Sequence, residues 1–173
     1  MALVLLVGGA RSGKSALAVR LAAAEPGDVV FVATGEAGDE EMAERIERHR
    51  AERPAGWRTV EEPLRLREAL LEAPPEACVV VDCLSLWVAN LIESRSAAEI
   101  EAEALAAAQA AAARPGRTIA VTNEVGLGVV PATPLGRAYR DVLGRVNATW
   151  ADKAEESFFV VAGKTLRLDD PHG

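Results

Sequence analysis

Three groups of residues have the types and spacings to do chemistry. Gly8, Gly9, Ala10, Arg11, Ser12, Gly13, Lys14 and Ser15 fit the pattern G-x-x-x-x-G-K-[ST]. Its glycines let backbone N–H groups turn inward around an anion, and the helix that follows aims its positive dipole end at the same point. In that setting Lys14 reaches the β/γ-phosphates and Ser15 ligates Mg²⁺. The second group is Ala77 to Asp82, a β-branched run ending in an acid, which reads as a buried strand delivering a carboxylate to a nucleotide's metal ion and its waters. Alone, Asp82 reads equally as a helix cap or a strand-end acid. Paired with the loop, it becomes a metal-site carboxylate. The third is a histidine, His49, inside an otherwise charged segment.

The segment Asp39 to Arg53 is predicted to be a helix, with Asp39 as N-cap, acidic residues in its first turn and Pro54 just beyond its end. Met42, Ile46, His49 and Arg53 recur at four- and three-residue steps, which places them on one face. His49 therefore lies on the stripe directed at the body of the protein. A neutral imidazole can attack phosphorus and form a covalent phosphoramidate; the alternative is an ordinary helix histidine. Arg50 and Arg53 could grip phosphate oxygens by bidentate hydrogen bonds or simply be solvated charges. Glu61 and Glu124 stay open as base, sugar or metal contacts. For Arg137 and Arg140 a salt-bridged helix face is the usual explanation.

These residues need a scaffold that gathers them. The loop follows an apolar run, Ala2 to Val7, and precedes an alanine-rich helical segment, Ala16 to Ala24. Buried strands are predicted at Val29 to Ala33, Ala77 to Asp82 and Thr118 to Val121, with a short strand at Trp57 to Glu61. Thr34, Gly35 and Glu36 form a small polar loop at a strand's carboxyl end, where ligands gather in open α/β sheets. Helices are predicted at Leu64 to Leu71, after the capping box Ser96-Ala97-Ala98-Glu99, and from Pro134 to about Trp150, the last with Leu135, Ala138, Val142 and Val146 inward, while Leu84 to Ile92 reads as a mostly apolar segment containing Trp87 and Asn90. Ser157 to Ala162 and Thr165 to Leu168 pair as a hairpin joined at Gly163-Lys164, followed by a frayed tail from Asp169 to Gly173. The expectation is an α/β fold, P-loop NTPase-like and RecA-like, with a mostly parallel sheet, flanking helices and a C-terminal antiparallel strand.

Composition narrows the classes further. The chain of 173 residues suits one domain, 1–173. A net charge of −7 argues against nucleic acid as the main partner. Cys78 and Cys83 have no ligand pair at zinc spacing and read as buried reduced thiols. The apolar start is too short for a membrane span and lacks a basic flank, so no membrane insertion and a cytoplasmic location are expected.

Several blocks occur together in this order: the opening G-G-A-R-S-G-K-S; Arg45 to Pro54 followed by Trp57-Arg58-Thr59; Asp82-Cys83-Leu84 with Trp87-Val88 and Asn90-Leu91; Val121 to Gly126 with Gly128 to Pro131; and Arg137, Arg140-Asp141, Gly144 and Asn147. On these the chain resembles the bifunctional adenosylcobinamide kinase and adenosylcobinamide-phosphate guanylyltransferase family of cobalamin biosynthesis. The resemblance implies phosphorylation of adenosylcobinamide by ATP or GTP, then transfer of GMP from GTP to adenosylcobinamide-phosphate through a guanylylated histidine, which falls on His49. It implies nucleotide contacts at Gly8 to Ser15, Thr34, Gly35 and Glu36, Arg50, Ala51, Glu52 and Arg53, Glu61 and Asp82, and it implies a homotrimer. The rivals are a simple P-loop small-molecule kinase in which His49 is structural, and a nucleotide-dependent switch or ATPase.

Overall fold

Runs such as Leu3-Val4-Leu5-Leu6-Val7 and Cys78-Val79-Val80-Val81 are apolar on both sides of an alternating strand, so each needs cover on two faces. The computed structural model of the chain, which describes residues 3–36 and 38–169, supplies that cover. Its strands are β1 (Leu3–Gly8), β2 (Val29–Ala33), β3 (Arg58–Glu61), β4 (Cys78–Asp82), β5 (Thr118–Asn123), β6 (Glu156–Val161) and β7 (Lys164–Leu168). The helices are α1 (Lys14–Ala23), α2 (Glu40–Ala51), α3 (Leu66–Glu72), α4 (Leu84–Leu91), α5 (Ala97–Ala113) and α6 (Pro134–Lys153). All seven strands form one sheet in the order β3-β2-β4-β5-β1-β6-β7, parallel except for β7, which runs antiparallel to β6.

Side-chain alternation divides the core in two. Leu5, Val7, Val79, Val81 and Ala120 face α3 to α6, whereas Leu6, Val80, Ile119 and Val121 face Ala18 and Ala22 of α1. On the first face the alanine-rich α5 packs between α3 and α6, presenting buried Ala104, Ala107, Ala108 and Ala111, and their small size lets the neighbouring helices approach. The expected capping box is present: Ser96 Oγ accepts from Glu99 N while the Glu99 carboxylate accepts from Ser96 N.

Two expectations shift. The inward face of α6 consists of Val142, Leu143, Val146, Asn147 and Trp150, with Leu135 48% exposed and Ala138 also exposed. The apolar spacing read from Leu135 was sound within the helix, but tertiary packing covers only its later turns. The hairpin turn is Ala162-Gly163 in place of Gly163-Lys164, with φ of 50° and 72°, and Val161 pairs with Lys164. A two-residue hairpin turn of this kind requires positive φ at both central positions, which glycine adopts without penalty. Of the expected tail, residues 170–173 lie outside the described residues.

One buried cation staples the first face. Arg114, 6% exposed, donates to the carbonyls of Leu70 (2.7 Å), Ala73 (3.2 Å), Pro74 (2.8 Å) and Ala77 (2.9 Å). Burial lowers its pKa from the usual arginine value, yet a guanidinium keeps its charge at any ordinary pH. Removing it strands several buried carbonyls at once. Arg114→Ala is expected to lower the unfolding free energy in urea by about 3 kcal/mol or more, and Arg114→Lys, with fewer donors and no planar fork, to restore less than half of the loss.

Candidate functional site at the carboxyl edge of the sheet

The phosphate loop leaves β1 through a backbone contact that only glycine permits. A Cβ on Gly8 would lie 2.3 Å from the Val160 carbonyl oxygen and 2.9 Å from Ser12 Oγ. Gly13 then turns the chain into α1 at φ 97°. The loop is braced from outside, because Gly163 N in the β6–β7 turn donates to Ser12 O at 2.8 Å. Lys14 is buried and its Nζ donates to Gly9 O at 2.7 Å, folding the ammonium over the loop.

The start of α1 suits an anion. No side chain caps it and its first turn holds no acidic residue. In α2, by contrast, Asp39 Oδ1 accepts from Met42 N at 2.7 Å and Glu40 and Glu41 follow. The first turn and the positive dipole end of α1 are therefore left to phosphate oxygens by the side chains around them. Ser12 Oγ, buried and with no hydrogen-bond partner among the described residues, is a further donor in that cradle.

Beside the cradle lies a cavity of about 260 Å³ built from three parts of the chain. Ser15, Ala16, Val19 and Arg20 come from α1, Phe31 and Asp82 from the sheet, and His49, Glu52 and Arg53 from the end of α2. The expected stripe on α2 is real, since Met42, Ile46, His49 and Arg53 are each partly buried while Glu44, Glu47 and Arg48 are exposed. His49 thus shares one cavity with the serine and aspartate expected at the metal. Ser15 and Asp82 are hard oxygen donors of the kind Mg²⁺ takes, and among the described residues no cluster of three or more His, Cys, Asp or Glu competes with them. Phosphate and water oxygens would complete such a coordination shell.

Arg53 and Phe31 give the cavity its firm wall. The guanidinium carbon sits 3.7 Å from the Phe31 ring centroid, and Nη1 donates to Thr59 Oγ1 at 3.2 Å. Burial lowers the Arg53 pKa, with the Asp82 charge opposing. Cys83, next to Asp82, is no rival nucleophile: burial, and then the Asp82 charge, push its thiol up to about 11, so it stays protonated at neutral pH. Both cysteines are free and buried, as expected from the sequence.

Other sequence-predicted residues are placed differently. Thr34 is buried and its hydroxyl donates to Cys83 O (2.7 Å) and accepts from Cys83 N (2.8 Å), tying the end of β2 to that of β4. Asn90 Nδ2 reinforces that corner through Thr34 O at 2.7 Å. Gly35 is half-buried near Leu86 and Ile46, and Glu36 and Ala51 are exposed. Arg50 is ion-paired with both Glu47 and Glu61, all three well exposed, so Arg50 and Glu61 meet each other. Arg140 pairs with Asp141, and Arg137 donates to Pro131 O and Ala132 O. The lining residues Ala16, Val19, Arg20 and Phe31 were not singled out beforehand. The four-residue step from Ala16 to Arg20 was a usable signal for α1, but nothing local marks Phe31 within an apolar strand. A second cavity, about 280 Å³ between Leu64–Glu68, Trp87 and α5, receives none of these groups.

A parallel sheet in which one strand, β5, separates the strand entering a phosphate loop from the strand ending in an acid defines a P-loop nucleotide-binding protein of the RecA-like type. A solved ATPase from the type III secretion system of pathogenic bacteria shares this fold, with a TM-score of 0.55 at 11% identity, covering 96% of this chain and 56% of that one. Residues 4–168 match the family described as cobinamide kinase / cobinamide phosphate guanyltransferase, and the chain belongs to that family. It is 47% identical to the bifunctional adenosylcobalamin biosynthesis protein CobP of Pseudomonas aeruginosa, with 95% of each chain covered. It is 38% identical to CobU of Escherichia coli, over 96% of this chain and 99% of that one, and 36% identical to CobU of Salmonella typhimurium with the same coverage.

The contact at Gly8 carries a test of the cradle. Gly8→Ala forces a methyl group against backbone and is expected to weaken binding of a fluorescent GTP analogue by about tenfold or more, with a lowered unfolding midpoint in the same sample.

Proposed function

We propose that one domain, 1–173, performs both reactions its family is named for at a single triphosphate site, the second through a guanylylated His49. The observation that carries this reading is the imidazole of His49 lining the same cavity as Ser15 and Asp82. In the first reaction the γ-phosphoryl group of ATP or GTP passes to the aminopropanol hydroxyl of adenosylcobinamide. In the second, a ring nitrogen of His49 attacks the α-phosphorus of GTP, the bond from that phosphorus to the bridging oxygen breaks, and pyrophosphate departs. A phosphate oxygen of adenosylcobinamide-phosphate then attacks the same phosphorus. The P–N bond breaks, adenosylcobinamide-GDP forms and the imidazole is restored.

The chain's own groups fit the charge that moves. The α1 amides and the Lys14 ammonium face the oxygens that become pyrophosphate, and charge stabilisation there strengthens as the bond breaks. Ser15 and Asp82 would hold Mg²⁺, which when bound supplies positive charge to the phosphate oxygens. Arg53, fixed on Phe31, offers its cation to the nucleotide at the cavity wall, and Glu52 and Arg20, which line the same cavity, would serve as further polar contacts to it. Thr34, Gly35 and Glu36 contribute as the rim formed by the loop after β2, and Glu61 through Arg50. We assign the protein to the cytoplasm and to a homotrimer; among the described residues no helix is long and apolar enough to cross a membrane.

GTP labelled at the α-phosphate separates this from a plain kinase or a nucleotide switch. The protein is expected to take up covalent label that acid removes and alkali does not. His49→Ala should abolish the label while leaving kinase turnover within about threefold. Lys14→Ala should reduce both reactions by about 100-fold or more. Unlabelled wild-type protein that still phosphorylates adenosylcobinamide would leave the plain kinase standing.

A further inference from the structure

We infer that Glu124, at the carboxyl tip of β5, is the general base that takes the hydroxyl proton from the acceptor alcohol in the kinase reaction. The inference rests on the kinase half of the family's activity and assigns a role that neither the phosphate loop, Asp82 nor His49 can fill. β5 lies between β1 and β4, with Asn123 in register with Gly8 and Val121 in register with Asp82. Glu124 follows directly and its N–H donates to Gly8 O at 3.0 Å, so the carboxylate is carried on backbone bonded to the first residue of the cradle.

The side of the sheet is right for an in-line transfer. Thr122 faces α6, where its hydroxyl donates to Asn147 Oδ1 at 2.7 Å, and the alternation of β5, continued one residue past its end at Asn123, assigns Glu124 to the same side. α1 packs on the other face. The leaving β-phosphate is held by α1 and Lys14, so the attacking oxygen must come from the opposite side of the γ-phosphorus. The mount is firm, because Asn147 Nδ2 also donates to Asn123 O at 3.0 Å. The approach is open: beyond Glu124 the chain is solvent-exposed, with Leu127 80% and Val129 95% accessible, which leaves room for a bulky acceptor.

Most other carboxylates at this edge are committed or distant, and Glu52 stands at the end of α2 beside His49. Glu61 is paired with Arg50, and Glu62 accepts from the amides of Leu64 and Arg65 and pairs with Arg65. Asp82 stands in the cavity with Ser15. Glu36 follows β2, which the sheet order places three strands from β1, about 14 Å at the usual strand spacing. Glu124 has no ion pair among the described residues. Its Oε1 accepts from Gly126 N, a contact that leaves the second oxygen for the alcohol. In the reaction that oxygen takes the hydroxyl proton as the alcohol oxygen bonds to the γ-phosphorus, the γ-phosphorus to bridging-oxygen bond breaks, and the electron pair leaves on the nucleoside diphosphate. The proton then passes to solvent.

Glu124→Gln keeps the acceptor for Gly126 N and removes the base. Kinase kcat for adenosylcobinamide is expected to fall about 100-fold or more, with KM within a few-fold, while covalent labelling from α-labelled GTP falls far less. Glu124→Asp should recover part of kcat. Kinase kcat within about threefold of wild type, or loss of kinase and labelling in equal measure, would overturn the assignment, the second outcome making Glu124 a brace for the loop. A wild-type protein that phosphorylates no cobinamide would sink the family activity itself, a result separate from either.

Discussion

The site depends on how the chain turns out of β1. At Gly8 the backbone passes so near the Val160 carbonyl that no side chain fits, and within a few residues Gly13 sets the first turn of α1 with its N–H groups uncapped. If that turn were wider, the dipole of α1, the Lys14 ammonium and the Ser15 hydroxyl would no longer converge. Everything else at the carboxyl edge is arranged around this fixed anion seat. Asp82 reaches it from two strands away and His49 from a separate helix.

The electrostatics of the seat run against those of the whole molecule. The chain carries a net charge of −7, and acidic residues crowd the first half of α2. The last turn of the same helix reverses this with Arg48, His49 and Arg50, so the helix is ordered from acid to base along its dipole. That polarity stabilises α2, and the same last turn lines the cavity through His49. One arrangement thus serves the helix and the site together.

Much of this was legible from local pattern. β2 spans the residues expected, Asp39 caps α2, and the stripe Met42, Ile46, His49 and Arg53 faces inward because helix periodicity leaves it no other direction. The phosphate loop was readable because its glycines answer a local backbone demand. What escaped was set by partners far along the chain. Thr34 is absorbed by the backbone of Cys83, Arg114 by carbonyls some forty residues earlier, and Arg50 by Glu61. Leu135 follows the rule for an inward residue and yet is half-exposed, since periodicity fixes only which residues share a face. Whether another element lies against that face is decided by topology.

The hydrogen bond from Gly163 to Ser12 O joins nearly opposite ends of the chain. β1 and α1 leave the ribosome well before the β6–β7 turn that braces their connecting loop. A nascent chain therefore lacks the brace on that loop until the β6–β7 hairpin has emerged and paired beside β1. The shape of the loop after β1 is thereby tied to formation of a hairpin far along the chain.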